Sequence, residues 1–167
     1  SPGVGSGLHL AGELFKQQTG TDLLHVAYKG TAPALTDTVG GIVPLMFTNL
    51  PAALPFIQNG KLVAIGITEA QRSPVAPNIP TLAEQGVQGV NVTSWYGLLA
   101  PAGTPAPVAE QLAKDAADIL AKPEVQDKLK AQGMSQSTMT PAAFAKAMKD
   151  ETAVWAGIIK ARRIVAE

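Results

Sequence analysis

The amino-acid sequence contains no cysteine among its 167 residues. This absence excludes disulfides, thiolate chemistry and cysteine-based metal sites, but it does not fix the compartment, because both cytosolic and periplasmic proteins can lack cysteine. The chain has two histidines, and two histidines without cysteine make no credible zinc-binding set. We therefore expect neither a metal nor a cofactor.

Net charge and long apolar runs are also missing. The 13 Lys and Arg residues balance the 13 Asp and Glu residues, and no basic cluster follows one face, so nucleic-acid binding lacks its electrostatic footprint. No apolar run approaches the ~20 residues that cross a bilayer, and the chain opens on Ser-Pro-Gly rather than on the segments of a signal peptide. The composition, 46% hydrophobic, suffices for one moderate domain or for a small lobe with part of a second.

The most informative stretch is residues 25–35, which combine a short apolar strand, a tight turn at Lys29-Gly30 and a helix start. Gly30 permits the sharp turn, Thr31 is a good N-cap residue, and Pro33 lies where a missing N–H costs nothing. Such a start points unpaired N–H groups and the positive end of the helix dipole outward, which suits a carboxylate or a phosphate. The alternative is that this turn is only a connection, as most strand-to-helix turns are.

The same arrangement recurs along the chain. A small polar residue, Ser6, Thr31 or Asn49, stands in each case where a helix begins. In a parallel sheet such turns emerge along one edge, where ligands of open α/β sheets bind. We therefore predict a polar, backbone-lined cleft at converging helix starts. His25, at the start of the middle strand, is interpreted as structural.

Hydrophobic periodicity predicts alternating helices and strands in the first part of the chain. The predicted helices cover residues 6–19, 31–39 and 51–59, and the predicted strands cover residues 23–28, 42–48 and 62–68. Pro44 removes a donor from the second strand, so we expect it at a strand start or a sheet edge. This alternation indicates a parallel α/β sheet.

The second part of the chain has a different pattern. Three prolines between residues 72 and 80 mark an extended segment. Residues 81–84 match a capping box, which predicts a short helix that ends at Gly86. A long apolar strand over residues 90–100 follows, and the remainder is mostly helical. We expect a βα unit and a helical unit, joined by the strand that contains Trp95.

An ordered set of motifs runs through the whole chain. They are Tyr-Lys-Gly-Thr-Ala-Pro-Ala-Leu at 28–35, Gly-Gly at 40–41, Leu-Pro-Ala-Ala-Leu-Pro at 50–55, Gly-Lys-Leu at 60–62, Arg-Ser-Pro at 72–74, Ile-Pro-Thr-Leu-Ala-Glu-Gln-Gly at 79–86 and Ser-Trp-Tyr-Gly-Leu-Leu-Ala-Pro-Ala-Gly-Thr-Pro at 94–105. In this order they resemble the Bug/TctC family of extracytoplasmic solute-binding proteins of tripartite tricarboxylate transporters. One motif alone is weak evidence, whereas the ordered set is strong.

The resemblance implies an α/β fold of the periplasmic binding protein type II kind, in which two lobes close around a small carboxylate-bearing solute. It implies that residues 1–94 are the second, ligand-binding lobe. It further implies that residues 95–167 are a crossover strand and C-terminal helices that return to the first lobe. The N-terminal part of the first lobe and the strand before Ser1 are then expected to lie outside this sequence.

The resemblance also implies a periplasmic location and the membrane subunits of a tripartite transporter as partners. If absent elements leave apolar surface bare, we expect a homodimer or an exchange of elements between chains. Two residues depart from the family pattern. Pro44 stands where the family usually has an acidic residue, and Thr48 stands where Asp often precedes Asn, which leaves the cleft less negative.

The predicted ligand-binding residues are mostly small, and most lie in the turns where helices begin. They are Gly5, Ser6, His9, Lys29, Gly30, Thr31, Ala32, Thr48 and Asn49. Backbone amides and hydroxyls at positions 5–6 and 30–32 suit a carboxylate, and the resemblance points to the same two loops. The ordinary alternatives are a hydrogen-bonded helix residue for His9, a solvated turn residue for Lys29 and a helix cap for Asn49.

Enzymatic interpretations find little support in the sequence. Residues 3–7, Gly-Val-Gly-Ser-Gly, match neither a P-loop nor a dinucleotide fingerprint nor a nucleophile elbow. A Ser6–His9 pair, with Asp22 or Asp37 as the orienting acid, has no spacing that aligns a base with the hydroxyl. The sequence thus favours a non-enzymatic, carboxylate-binding lobe. The alternative is a stand-alone sensor or small-molecule-processing enzyme domain of the same α/β plan.

Overall fold

The helices of the first part of the chain lie where the sequence predicts them. The computed structural model describes residues 1–137 and 139–165. Within these residues the helices are α1 (Gly7–Thr19), α2 (Thr31–Val39), α3 (Leu50–Gln58), α4 (Ala106–Leu120), α5 (Pro123–Ala131) and α6 (Pro141–Arg162). In the same residues, no helix combines the length and the hydrophobicity needed to cross a membrane. The predicted helices at 6–19, 31–39 and 51–59 are confirmed.

The chain divides into two units. The first contains Ser1–Ser94 together with Val154–Glu167, and the second contains Trp95–Ala153. Helix α6 therefore contributes its last residues to the first unit and its earlier residues to the second. All of the predicted ligand-binding residues lie in the first unit.

Helix α1 is capped at both ends. At its N-terminus the Ser6 hydroxyl accepts a hydrogen bond from the His9 amide at 3.2 Å, which is the usual N-cap contact. At its C-terminus Gly20 is left-handed (φ 68°), and its amide donates to Lys16 O at 3.0 Å. Glycine adopts this conformation without a steric cost. The predicted start at Ser6 and end at Gly20 are both confirmed.

Helices α2 and α3 begin without a side-chain cap. The N-cap of α2 is Gly30, with φ at 118°, so the prediction of Thr31 as the N-cap is wrong by one residue. A positive φ at this position is accessible to glycine and strained for threonine, which explains the shift. Asn49 is the N-cap of α3, as predicted, although its side chain makes no capping hydrogen bond.

The predicted strands are not formed in the described residues. The sequence predicts them at residues 23–28, 42–48, 62–68 and 90–100. None of these segments is a hydrogen-bonded strand, and one isolated parallel bridge joins Ile67 to Thr81. The strand predictions are therefore wrong for the described structure.

The physical reason is that a strand needs a neighbouring strand, whereas a helix satisfies its own backbone. The segment after α2 begins in a turn, in which the Ile42 amide donates to Asp37 O at 2.8 Å. The segment after α3 begins in the same way, with the Leu62 amide donating to Phe56 O at 3.1 Å. These amides bond back to the preceding helix instead of joining a ladder.

Apolar side chains of the segments predicted as strands are correspondingly exposed. Leu24 is 92% exposed, and Val63 and Ile65 are 87% and 60% exposed. Apolar periodicity predicts a strand because it assumes that at least one face is covered. The described part of the chain does not provide that cover.

The core of the first unit combines α1, the turn that follows residue 80 and the C-terminal part of α6. Its buried members are Leu14, Leu82, Val90 and Ile158. The partly buried side chains that pack against them are Phe15, Val87, Val92, Trp155 and Ile164. Ala11 and Leu14, which lie on one face of α1, are both buried.

The predicted capping box forms, but the helix that it predicts does not. The Thr81 amide donates to Glu84 Oε2 at 2.7 Å, and the Glu84 amide donates to Thr81 Oγ1 at 3.1 Å. Immediately afterwards Gly86 is left-handed (φ 87°), and the Val87 amide donates to Leu82 O at 2.9 Å. These features belong to a helix C-terminus. The segment therefore ends after a single turn, and the predicted short helix is wrong.

The second unit is organised around Trp95. Its indole N–H donates to Glu151 Oε2 at 2.7 Å, and its ring meets Phe144 edge-on, with the ring centroids 5.1 Å apart. Gly97 lies against the same phenylalanine, because an added Cβ would be 2.6 Å from Phe144 Cζ. Three apolar residues of α4 remain about half exposed: Val108, Leu112 and Ile119.

Candidate functional site

The turns that precede α1 and α2 are held next to each other by the Pro2-Gly3 dipeptide. The Gly30 amide donates to Pro2 O at 2.9 Å. The Ser6 hydroxyl donates to Gly3 O at 2.8 Å. The N-cap residues of both helices are therefore hydrogen-bonded to the same dipeptide, and the two helix starts are adjacent.

Further contacts along residues 26–28 fix this arrangement. The Ser1 amine donates to Val26 O at 2.9 Å, and the Tyr28 amide donates to Ser1 O at 3.0 Å. The Tyr28 hydroxyl donates to Asp37 Oδ2 at 2.8 Å, and this hydrogen bond raises the pKa of Tyr28. The turn before α2 is thus tied both to the chain start and to the far end of α2.

The turn before α1 is held by hydrogen bonds among its own residues. The Gly5 amide donates to His9 Nδ1 at 3.1 Å, the Ser6 amide donates to Gly3 O at 3.3 Å, and the Ser6 hydroxyl caps the helix. Gly5 itself is left-handed, with φ at 76°. Gly5, Ser6 and His9, which the sequence groups as ligand contacts, are therefore brought together, and they hold one another in a preformed turn.

The turn before α2 is more open. Lys29 and Ala32 are exposed, and Gly30 and Thr31 are partly buried. Because α2 has no side-chain cap, the amides of Thr31 and Ala32 lie at an uncapped helix start, where intrahelical partners do not exist. Pro33 carries no amide hydrogen. The α2 start thus has no side-chain cap, whereas at the α1 start the Ser6 hydroxyl accepts from the His9 amide.

The turn before α3 contains Thr48 and Asn49. Asn49 Oδ1 accepts from Ser94 Oγ at 3.4 Å. Thr48 Oγ1 is buried and has no hydrogen-bond partner among the described residues. An unpaired buried hydroxyl costs about 1–3 kcal/mol. The preceding Phe47 packs against Gly12 in the middle of α1, where an added Cβ would be 3.3 Å from Phe47 Cδ2.

The two histidines stack on each other behind the α1 turn. Their ring centroids are 3.8 Å apart, and the rings are inclined by 20°. His9 is 6% exposed, and its pKa is lowered by burial. Burial, and next the neighbouring His9 ring, lower the pKa of His25 to about 4. Both rings are therefore neutral at pH 7, and His9 accepts at Nδ1 from Gly5.

Glu13 adds a buried carboxylate to this cluster. It is 6% exposed and contacts Lys16 Nζ at 2.9 Å and Arg162 Nε at 3.5 Å. Its Oε1 also lies 4.0 Å from His9 Nε2. Sequence reasoning missed this residue. The available signal was an acidic side chain on the apolar face of α1, four positions after His9. Arg162 gave no local signal, because it reaches Glu13 from α6.

The Ser6–His9 pair is not arranged as a nucleophile and its base. Ser6 Oγ contacts Gly3 O and the His9 amide, whereas the His9 ring accepts from Gly5. Asp37 accepts from a tyrosine hydroxyl and does not orient the ring. In residues 1–137 and 139–165, no group of three or more metal-ligating side chains is found.

A sequence model of the family described as "TctC: Tripartite tricarboxylate transporter family receptor" matches residues 1–164. A UPF0065 protein in the tcbD-tcbE intergenic region of a Pseudomonas sp. is 35% identical over 165 residues, which are 98% of this chain and 49% of that protein. A UPF0065 protein in the clcB-clcD intergenic region of Pseudomonas knackmussii is 35% identical over 163 residues, which are 97% of this chain and 96% of that protein. The chain thus spans about half the length of the first relative.

Solved structures of periplasmic proteins are also similar to this chain over about half of their own length. A structure described as that of a periplasmic transporter is 43% identical, with a TM-score of 0.84 over 98% of this chain and 55% of that chain. An R. palustris protein solved with adipate is 35% identical, with a TM-score of 0.82 over 96% of this chain and 54% of that chain. MatC from Rhodopseudomonas palustris with bound malate is 30% identical, with a TM-score of 0.78 over 93% of this chain and 54% of that chain. This likeness is consistent with an α/β fold.

Proposed function

Because this chain belongs to the tripartite tricarboxylate transporter receptor family, TctC, we propose that it captures a small carboxylate-bearing solute at its adjacent helix starts. The solute is bound without chemical change in the periplasm and is passed to the membrane subunits of the transporter. Residues 1–94 act as a ligand-binding lobe of the periplasmic binding protein type II kind. Residues 95–167 supply a crossover segment and helices that return to a first lobe.

The observation that carries this proposal is the adjacency of the α1 and α2 N-termini. Each helix N-terminus carries about half a positive elementary charge. Hydrogen bonds to Pro2 and Gly3 hold the two N-termini next to each other. A carboxylate between them accepts hydrogen bonds from backbone amides and is stabilised by both dipoles.

In this proposal the α2 turn supplies the donors and the α1 turn supplies the shape. The amides of Thr31 and Ala32 bind the carboxylate, and the exposed Lys29 attracts the anion from a distance. Gly30 brings the backbone close to the ligand because it lacks a side chain. Gly5 and Ser6 line the opposite side, where the Ser6 hydroxyl exchanges its bond to the backbone for one to the ligand.

Thr48 and Asn49 complete the proposed site from the α3 turn. The buried Thr48 hydroxyl lacks a partner among the described residues, so a hydrogen bond to a second ligand carboxylate would remove the cost of leaving it unpaired. Thr48 also adds no negative charge that would repel a dianion. This favours dicarboxylates, the class to which the adipate and malate of the two R. palustris structures belong.

The partners of the chain include a second copy in this proposal. Exposed apolar side chains in the segments after α1 and α3, among them Leu24 and Val63, offer surface that water disfavours. A homodimer, or an exchange of elements between two chains, covers this surface when no other lobe does so.

Isothermal titration calorimetry of the chain with malate, adipate and a monocarboxylate control tests the function. We compare the wild type with Thr31→Pro. Proline is well accepted at the first helical position, and it removes the amide donor together with the threonine hydroxyl. We expect Thr31→Pro to weaken dicarboxylate binding by about tenfold or more, because a hydrogen bond to a charged group is worth about 1.5–3 kcal/mol.

The matched control is Thr31→Ala, which removes the hydroxyl and keeps the amide, and we expect it to weaken binding less than Thr31→Pro. Absence of binding by every carboxylate contradicts the proposal. Equal affinities for Thr31→Pro and the wild type contradict it as well. Consumption of the ligand during the titration would instead support an enzyme domain of the same α/β plan.

A further inference from the structure

We propose that the stacked imidazoles of His9 and His25 hold the two binding turns in register, and that protonation of this histidine pair releases both turns. The inference rests on the proposed function, because the turns concerned are those that we propose to bind the carboxylate. In this role neither ring contacts the ligand, and both are positioning residues.

Each ring is bonded to a different part of the site. His9 Nδ1 accepts from the Gly5 amide at 3.1 Å, within the turn that begins α1. His25 Nε2 lies 2.6 Å from Ser1 Oγ. Ser1 O in turn accepts from the Tyr28 amide at 3.0 Å, in the segment that leads to α2. The contact between the rings, with centroids 3.8 Å apart, therefore joins the two turns through side chains.

The contact to Gly5 requires a neutral His9. A protonated imidazole has two N–H donors and no acceptor, so a charged ring cannot accept from the Gly5 amide. Two charged rings at a centroid distance of 3.8 Å also repel each other. Protonation thus removes the hydrogen bond that shapes the α1 turn and pushes apart the rings that join it to the α2 turn.

Charged groups from several elements face the histidine pair. Glu13 Oε1 lies 4.0 Å from His9 Nε2 and raises the pKa of His9, although burial outweighs it. The Ser1 amine and Lys16 lower this pKa. Arg162, from α6, lies 3.5 Å from Glu13 Oε2 and weakens the attraction of Glu13 for a protonated ring. Burial thus keeps the pair neutral at pH 7, and acidification charges it.

The sign of the pH dependence follows from the lowered pKa values. The folded state favours the neutral rings, with a pKa of about 4 for His25, whereas the ordinary pKa of histidine is 6.5. The stability that this difference contributes is complete above pH 6.5 and is lost as the pH falls towards 4. Ligand affinity changes in the same direction, because only the neutral pair holds both turns.

Nitrogen-15 NMR of the histidine rings, from neutral pH to about pH 4, tests the structural part of the inference. Both histidines of the chain belong to the pair, so ring signals need no further selection. We expect His9 to carry its proton on Nε2 at pH 7, and the amide signals of Gly5 and Tyr28 to shift together with the ring titration. Ordinary histidine titration with no response of these two amides would overturn the inference.

Calorimetry with malate tests the consequence for binding. His9→Phe keeps a ring of similar size and removes the acceptor for Gly5, so we expect about tenfold weaker binding at neutral pH. His9→Asn keeps an acceptor oxygen and cannot be protonated in this range, so we expect it to restore part of that loss. Relative to His9→Asn, the wild type should lose affinity on acidification. The titration of malate itself is common to both proteins and cancels in their ratio.

The outcomes separate this inference from the proposed function. If no carboxylate binds at any pH, the function fails, and coupled shifts of the rings and the two amides still support the histidine pair. If malate binds and the affinities of His9→Phe and the wild type are equal, the function stands and the histidine pair is refuted. If His9→Phe does not fold, the ring titration of the wild type decides the question.

Discussion

At the scale of single residues, Gly66 marks a position where the first unit leaves no room for a side chain. A Cβ at this position would lie 2.7 Å from Gln85 Nε2 and 2.8 Å from Leu82 Cδ2. Leu82 is a buried member of the core, and Gln85 Nε2 donates to Ile65 O at 2.8 Å. Leu82 is therefore held in place, whereas the exposed Gln85 side chain can move aside.

We predict that Gly66→Ala lowers the free energy of unfolding by about 1–3 kcal/mol, the usual cost of overpacking. Urea denaturation measures this change. The control is Gly7→Ala at the start of α1, where an added Cβ meets nothing within 4 Å. The control should be neutral or stabilising by up to about 1 kcal/mol. Equal stability of the two variants would contradict the packing described for Gly66.

The structural roles of single residues were predictable from the sequence where the signal is local. Ser6 and Gly20 bound α1 as predicted, because capping depends on neighbours a few positions away. The N-cap of α2 was predicted one position too late, at Thr31 instead of Gly30. Residue preferences at helix starts do not reveal the positive φ of Gly30. The contact between Glu13 and Arg162 joins α1 to α6, and local patterns carry no information about such distant pairs.

At the scale of elements, helices were predictable and strands were not. Helix α1 has its own hydrogen bonds, caps and apolar face, all of which are encoded within residues 6–20. The segment around Val63 has only its apolar period, and its 87% exposure shows that no partner covers it in the described residues. Apolar periodicity alone indicates that a segment is compatible with a strand. A neighbouring strand decides whether a sheet forms.

The N-cap of α1 gives a prediction at the element scale. Ser6→Ala removes the acceptor of the His9 amide and should lower the free energy of unfolding by about 1 kcal/mol, measured by urea denaturation. Ser6→Thr is the control, because threonine is also a good N-cap residue and its hydroxyl can still donate to Gly3 O. We expect Ser6→Thr to retain most of the stability. Loss of stability in both variants would contradict the assigned cap.

At the scale of the whole molecule, the chain is about half as long as most of the relatives to which it is similar. It covers 49% of one relative and 55% of one solved structure, but 96% of the Pseudomonas knackmussii protein. The first unit nevertheless assembles both helix starts of the proposed site from its own residues. Ligand capture can therefore be tested on this chain.

Exposed apolar surface leads to a prediction about self-association. We expect the chain to associate with increasing concentration, as measured by light scattering after size-exclusion chromatography. Leu24→Asp places a charge on a residue that is 92% exposed and should shift the chain towards the monomer with little change in stability. Ser135→Asp adds the same charge at another exposed residue and should leave association unchanged. A wild type that stays monomeric at all concentrations would contradict this prediction.

The most direct test of the central claim is an amide NMR titration of this chain with malate. If the adjacent starts of α1 and α2 bind the carboxylate, the amide signals of Thr31 and Ala32 will shift and saturate, and those of α5 in the second unit will not move. Saturating shifts confined to other parts of the chain, or no shift at Thr31 and Ala32 under saturating malate, would contradict the account.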